Sequence, residues 1–398
     1  MPDLAETDYD VVVAGAGLPG LSLAAALARA GVRVVLADGA PIAAPAFDAA
    51  QYDVRVYAIS PGSAQFLHGI GAWQRLPVER LTAVEGMDIE GDARARLAFS
   101  AYDLHERALA WIVEERELRA ALLQTALEAG VDMQGGAPFV GLTFDTGSAH
   151  LTVACDGGGQ RALRARLIVA ADGLRSWVRQ AAGIVAAPRS YGQTGVVANF
   201  GCERAHRGVA RQWFRADGSI LAWLPLPGNC ISMVWSAPDA MAGELLAIGG
   251  DLLAARVADA GGRVLGAMTP VSPSAGFPLS MLRLPTTVAH RLALVGDAAH
   301  GVHPLAGQGV NLGFGDARVL AHLVTERGPI PDAGAPILLS RYAQRRVEPV
   351  LAMHVVTDGL ARLFGPPSPW LSAVRNAGMA AVDRLPFLKR ALAQPALR

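Results

Sequence analysis

Net charge, paired cysteines and uninterrupted apolar runs are scarce in this sequence, and each scarcity removes a class of function. Lys+Arg and Asp+Glu balance at 35 each among 398 residues, so the net charge is zero. A chain that coats nucleic acid is ordinarily strongly basic, so no nucleic-acid partner is expected. Cys155, Cys202 and Cys230 are widely spaced, with no CxxC pair and no zinc-ligand spacing. No metal site is expected, and free thiols suit a reducing compartment. One uncharged run, Val11 to Ala28, reaches 18 residues, the usual threshold for a spanning helix. Gly15, Gly17, Pro19 and Gly20 break its middle, and Val11-Val12-Val13 is a strand signal, so it reads as strand–turn–helix. Met1 to Asp10 is acidic, which argues against a secretory leader.

What is present is apolar residue and glycine. Hydrophobic residues make up 52% and charged residues 18%, which excludes a disordered chain and permits a large core. The length suggests two or three domains. Tyr9 to Ala14 reads as a strand, Gly15 to Gly20 as a turn, and Leu21 to Arg29 as a helix capped by Gly31. Val32 to Ala37 reads as a second strand ending at Asp38. Such a unit implies parallel strands with a right-handed crossover. Leu167 to Ala171 leads into Asp172-Gly173, and Leu292 to Val295 into Gly296-Asp297. Ligands of open α/β sheets bind at the carboxyl ends of strands, so three acids distant in sequence point to one crevice. Residues 185 to 285 have a different texture, with Trp213, Phe214, Trp223 and Trp235, alternating stretches and turn signals at Asp217-Gly218 and Pro227-Gly228-Asn229. They read as an antiparallel sheet of hairpins. Ser340 to Phe364 has helical spacing, and Trp370 to Ala393 is a final helical stretch interrupted near Pro386.

Three segments carry chemistry. In Gly15-Ala-Gly17-Leu-Pro-Gly20, the glycines permit a tight turn, close approach of a pyrophosphate, and close helix–strand packing, in that order. The helix N-terminus offers free N–H groups and a positive dipole end to phosphates. Asp38 lies near the spacing expected of an acid that holds ribose hydroxyls. Asp172-Gly173 is either a second ligand motif or a simple strand-to-turn pair. The third segment runs from Gly296-Asp297 through His300, His303, Pro304, Gly307, Gln308, Gly309 and Val310 to Asn311. Its Asp can accept hydrogen bonds from a polyol, its glycines bring backbone near a planar ligand, and the helix that follows points its positive end at that loop.

These motifs, in this order, resemble the FAD-dependent aromatic hydroxylases with a p-hydroxybenzoate hydroxylase-like fold. More narrowly, Arg55-Val-Tyr57-Ala-Ile-Ser60, Trp111 to Leu118, Leu224-Pro-Leu226 with Val234-Trp235-Ser236, and Gly296 to Asn311 resemble the ubiquinone-biosynthesis hydroxylase family. The likeness spans about residues 8 to 390. Asp38, where that family more often has Glu, preserves the chemistry, and Glu115 replaces a common Asn. The expected architecture is α/β: a Rossmann-like FAD-binding domain with an inserted antiparallel-sheet substrate domain and C-terminal helices. The expected division is a discontinuous FAD-binding domain (1–75, 101–180 and 286–345), a substrate domain (76–100 and 181–285) and a C-terminal helical region (346–398).

The resemblance implies bound FAD, reduced by NAD(P)H or a protein electron donor, with O2 as co-substrate and a flavin C4a-hydroperoxide that hydroxylates a lipophilic aromatic ring. It implies FAD contacts from Gly15, Gly17, Gly20, Asp38, Arg55, Arg116, Asp172, Gly173, Asp297, Pro304, Gly307, Gln308, Gly309, Val310 and Asn311. Tyr191, Gln193, Gln212, Trp213 and Trp223 could line a substrate pocket, or the aromatics could be core of the hairpin sheet. No catalytic base is assigned. Only one GxGxxG is present, so a separate nicotinamide domain is not expected. Residues 360 to 398 carry six basic residues against Asp383, with Phe364, Trp370 and Phe387 among them. That suits either a solvated helix face or a peripheral contact on the inner face of a membrane, in a cytoplasmic protein. A biosynthetic complex or homo-oligomer, a soluble aromatic or polyketide substrate, and a non-catalytic flavoprotein scaffold all stay open on the sequence.

Overall fold

The computed structural model describes residues 7–44, 51–92, 95–155, 157–302 and 307–364, with 376, 378, 379, 382, 383, 389 and 397. Pro304 lies outside these residues, as does most of the final helical stretch read between Trp370 and Ala393.

The first sheet is built on Tyr9–Ala14, four of whose six residues are buried. It pairs in parallel with Val34–Ala37 on one side and with Gln160–Ala170 on the other. Gln160–Ala170 pairs in parallel with Leu292–Leu294, and Val34–Ala37 with Asp132–Gln134. Near-continuous Val, Leu, Ile and Ala runs suit strands buried on both faces. A hairpin, Phe139–Phe144 and Ala149–Ala154, extends the sheet antiparallel to the first half of Gln160–Ala170.

The first helix spans Leu18–Arg29 and starts at Leu18 instead of Leu21, because Pro19 fits the first turn with its fixed φ. The next strand starts at Val34 instead of Val32, because the Val32 amide still closes the helix end on Leu27 O (3.1 Å) while Gly31 N bonds to Ala28 O (2.9 Å). This helix, Glu115–Glu128 and Gln308–Thr325 share one apolar cluster with the underside of the first sheet.

The second sheet runs Met268–Pro270, Arg189–Cys202, Cys230–Pro238, Ile220–Leu226, Val209–Phe214, Gly86–Glu90, Arg96–Ser100, with Ala275–Met281 also on Arg189–Cys202. It is antiparallel except where Val209–Phe214 meets Gly86–Glu90. A three-stranded sheet, Val56–Ile59, Ala110–Glu114 and Thr82–Val84, lies against it.

The two faces of the second sheet differ. Trp213, Leu221, Trp223, Met233 and Trp235 share one face and are covered by the helices Asp239–Ala247 and Gly250–Ala260. Trp213 and Trp223 meet edge to face with ring centroids 4.6 Å apart. Trp223 is 1% exposed. The two tryptophans are therefore core of the hairpin sheet and do not line a pocket. The other face carries Gln193, Val197, Asn199, Gln212, Ala222, Leu224 and Val234, and at Leu224 it packs against the three-stranded sheet. Asn199 Nδ2 donates to Asp53 O (2.9 Å), and the Arg55 guanidinium stacks on Phe277 at 4.6 Å.

Because Trp223 fills the space beneath a helix end, Trp223→Ala should destabilise the protein by about 3–5 kcal/mol in denaturant unfolding. Ligand affinity should stay unchanged in any variant that remains folded; a large loss of affinity with little loss of stability would mean that the ring belongs to a pocket.

Candidate active site

The nucleotide loop follows the first strand. Gly15 has φ +115°, and a Cβ there or on Gly20 would collide with backbone: the Ala171 carbonyl for Gly15, the Gly15 carbonyl for Gly20. Gly17 differs. A Cβ on it would meet nothing within 4 Å, so its surface is open to an approaching group. Asp38 braces the loop, its Oδ2 accepting from Ala16 N (2.7 Å) and its Oδ1 from Ala40 N (2.8 Å). A carboxylate has about four acceptor positions, so capacity for hydroxyl donors remains.

Asp172 closes the second strand end. Its carboxylate accepts from the Ser176 hydroxyl and from Val178 N (3.0 Å), and Ser176 Oγ accepts from Arg179 N (2.9 Å). Asp172 therefore serves the start of the short helix Trp177–Ala181, with burial pushing its pKa up against those hydrogen bonds. Gly173 follows with no residue crowding its Cα. Arg179, which the sequence did not single out, is buried and joins the second motif to the third. Its Nη2 donates to Leu174 O and its Nη1 to Ala298 O, both at 2.9 Å.

The third motif begins as Val295 N bonds to Ala170 O (2.9 Å) and the chain enters a tight turn, Gly296–Ala298. Gly296 has φ +58°. Pro19 of the first helix sits in a notch between Gly296 and Gly313: a Cβ on Gly313 would stand 2.7 Å from the proline ring. Asp297 is exposed, yet surrounding protein desolvates it and raises its pKa, with His300 and Arg55 pulling the other way. Its carboxyl is thus accessible to solvent while flanked by protein. Tyr57 shares these surroundings. Burial pushes its hydroxyl up to about 12, and the charges acting on it include Arg55, Glu115 and Asp297. Burial likewise raises the pKa of Glu115, helped by Asp53.

The residues at the start of Gln308–Thr325 divide. Gly307, Gln308 and Gly309 are half-buried at the open helix end. Val310 turns into the core. Asn311 spans to the three-stranded sheet: its Oδ1 accepts from Ser60 N (3.0 Å) and its Nδ2 donates to Ala58 O (2.8 Å). It fixes the helix end to Val56–Ile59 and does not aim into the crevice. Arg116 is committed too, bridging Glu114 (3.1 Å) and donating to Gln51 O. Glu114 is 1% exposed and also pairs with Arg80 (2.6 Å). Arg55 remains exposed at the mouth, stacked on Phe277.

On the second sheet, Val197, Val234, Ala222 and Gln212 stand in register across four strands and make a mainly apolar floor. Gln193 lies on the same face and donates to Gly218 O (3.3 Å). Tyr191 sits in the irregular stretch between Ser190 and Thr194. Period-two alternation around Trp223 could have pointed to Ala222 as its opposite-face neighbour. Among the described residues no group of His, Cys, Asp and Glu could hold a metal ion.

The parallel register thus sets Asp38, Asp172 and Asp297 at one edge of the first sheet. Beside that edge are an open Gly17 and the N-termini of two helices. Residues that brace a dinucleotide loop, an accessible acid beyond it and room for a flat ring fit an extended FAD. The comparisons agree. Residues 8–358 match the family model described as FAD binding domain. The chain is 38% identical to ubiquinone hydroxylase UbiL of Rhodospirillum rubrum, over 96% of this chain and 87% of that protein. It is 34% identical to 3-demethoxyubiquinol 3-hydroxylase of Escherichia coli, over 96% of each. Pseudomonas aeruginosa PqsL, solved with 2-aminobenzoylacetate, superposes with a TM-score of 0.76 at 26% identity, over 93% of this chain and 99% of PqsL.

Gly17 and Gly20 separate ligand approach from packing. Gly17→Val should leave the apoprotein within about 0.5 kcal/mol of its parent stability. It should nonetheless weaken FAD binding by about tenfold or more, because the backbone N–H groups are screened from phosphate. Gly20→Val should lose both. Calorimetry and FAD titration measure the pair; unchanged FAD affinity in Gly17→Val would contradict the assignment.

Proposed function

This chain belongs to the ubiquinone-biosynthesis family of FAD-dependent aromatic monooxygenases, and from that premise we propose that it hydroxylates the ring of a polyprenylated phenol or quinol precursor. The observation that carries the reading is the parallel register that brings Asp38, Asp172 and Asp297 to the carboxyl edge of the first sheet, beside the open Gly17. When bound, FAD would supply the redox chemistry, taking electrons from NAD(P)H or a protein donor and delivering them to O2.

The protein's part is binding, orientation and exclusion of water. The free amides at the start of Leu18–Arg29, with Gly17 open beside them, would hold the pyrophosphate, and Asp38 the adenosine ribose. Asp297 would accept from the ribityl hydroxyls. The positive end of Gln308–Thr325 would face negative charge on the pyrimidine edge of the ring system. Val197, Ala222 and Val234 would hold the substrate ring against it, and the apolar surface would keep water from the reacting atoms. Tyr57 stays protonated at neutral pH and so is available as a hydrogen-bond donor within the crevice.

Disruption of the gene should accumulate a quinone precursor lacking one hydroxyl, identified by mass spectrometry, and 18O2 should label the product of the purified protein. An unchanged quinone profile, with turnover of soluble aromatics instead, would overturn the substrate assignment.

No helix among the described residues is long and apolar enough to cross a membrane. The polyprenyl tail partitions into a bilayer, so a peripheral contact of this cytoplasmic enzyme is part of the reading. Exposed Leu351, Val355 and Val356, at the end of Pro336–Phe364 that leads into the basic stretch 360–398, support it. Against it, Asn376, Met379 and Asp383 are anchored on the second sheet, with Lys389 paired to Asp383 (2.6 Å). The protein should sediment with anionic phospholipid vesicles at low salt; retention in the supernatant would refute the contact.

A further inference from the structure

The Asp297 carboxyl has no hydrogen-bond partner among the described residues and feels only the charges of His300, Arg55 and Asp316, so the backbone of its turn governs where it stands. That turn is gripped at both ends by buried charged side chains. Arg179 Nη1 holds Ala298 O, and Asp316 Oδ2 holds Gly296 N (2.8 Å). Asp316 lies mid-helix in Gln308–Thr325, is 1% exposed, and takes donors from three places. Its Oδ2 accepts from His300 Nε2 (2.6 Å) as well as Gly296, and its Oδ1 accepts from Arg346 Nε (2.6 Å). Arg346 comes from the long helix Pro336–Phe364 and also donates to Leu312 O (3.0 Å). Gly315 makes room for it: a Cβ there would stand 3.0 Å from a guanidinium nitrogen. Tyr342, one turn before Arg346, donates to Leu294 O (2.7 Å), so the long helix holds both the strand Leu292–Leu294 and the helix Gln308–Thr325.

A buried carboxylate with this many donors is costly to maintain by burial alone, and a surface pair would serve stability as well. Its value is directional. We propose that Asp316 is a positioning residue: through the Gly296 amide it aims Asp297 into the crevice, and Arg346 and His300 hold it as the carboxylate that does so. The proposal rests on Asp297 contacting FAD, as set out under the proposed function. It also makes seating of the long helix a condition for presenting Asp297.

Apoprotein titrations with FAD and with ADP test it, because ADP engages only the Gly15–Gly20 loop and Asp38. Two variants are compared: Asp316→Asn, and Asp316→Asn/Arg346→Met, which removes both charges so that no unpaired guanidinium blocks folding. Both should bind FAD about tenfold or more weakly, the scale of one lost charge-assisted hydrogen bond. ADP affinity and circular dichroism should be unchanged. His300→Gln, which retains an N–H donor for Oδ2, should keep FAD affinity near that of the parent. Asp297→Ala is the reference. If Asp297→Ala weakens FAD binding but the neutral double variant binds FAD as the parent does, the positioning role is refuted. Equal losses for FAD and ADP would mean general loosening and also refute it. If Asp297→Ala leaves FAD affinity unchanged, the assignment of Asp297 itself fails.

Discussion

Parallel pairing of Tyr9–Ala14 with a strand on each side is the constraint from which the site follows. Its central residues are wholly buried, so both faces must be covered, and crossover helices are the means available to a parallel sheet. Parallel register also forces the strands' carboxyl ends to one edge. Asp38, Asp172 and Asp297, from three distant stretches, thereby come to one edge of the sheet. The glycines of the first loop then serve closeness. Gly15 and Gly20 let helix and strand meet, and Gly313 with Gly296 lets Pro19 seat against the third motif.

Buried polar side chains finish what the sheet begins. Arg179 ties the second motif to the third, Asn311 ties the helix Gln308–Thr325 to Val56–Ile59, and Asp316 ties that helix to the Gly296 turn and the long helix. Each spans elements far apart in the chain, and each spends its hydrogen-bonding capacity on backbone or on another buried charge. The groups left accessible, Asp297, Gln308 and Arg55, are those at the crevice wall and mouth. Scaffold roles and the proposed ligand-facing roles thus fall to different residues within the same motifs.

That division explains what the sequence could and could not tell. The β-α-β unit was legible because strand run, glycine turn and Ala/Leu helix each carry a local signal, and only their ends moved, where Pro19 and the Val32 amide extend the helix. The hairpin sheet was legible from alternation, but not which face would meet the crevice. That depends on the helices Asp239–Ala247 and Gly250–Ala260, which come later in the chain and cover the Trp213 and Trp223 side. Val310 and Asn311 were expected as FAD contacts from the family resemblance. Asn311 is instead held by Ala58 and Ser60, some 250 residues away, and Val310 packs into the core. Arg179, Asp316 and Arg346 gave no signal, since isolated charges in a sequence ordinarily mark surface.

The central claim is that the crevice at the carboxyl edge takes FAD at full length, from Gly17 to Asp297. A crystal structure of the FAD complex tests it most directly. The account predicts the pyrophosphate against the amides beside Gly17 and a ribityl hydroxyl within about 3 Å of an Asp297 carboxyl oxygen. FAD bound with its ribityl chain remote from Asp297, or away from the carboxyl edge altogether, would contradict it.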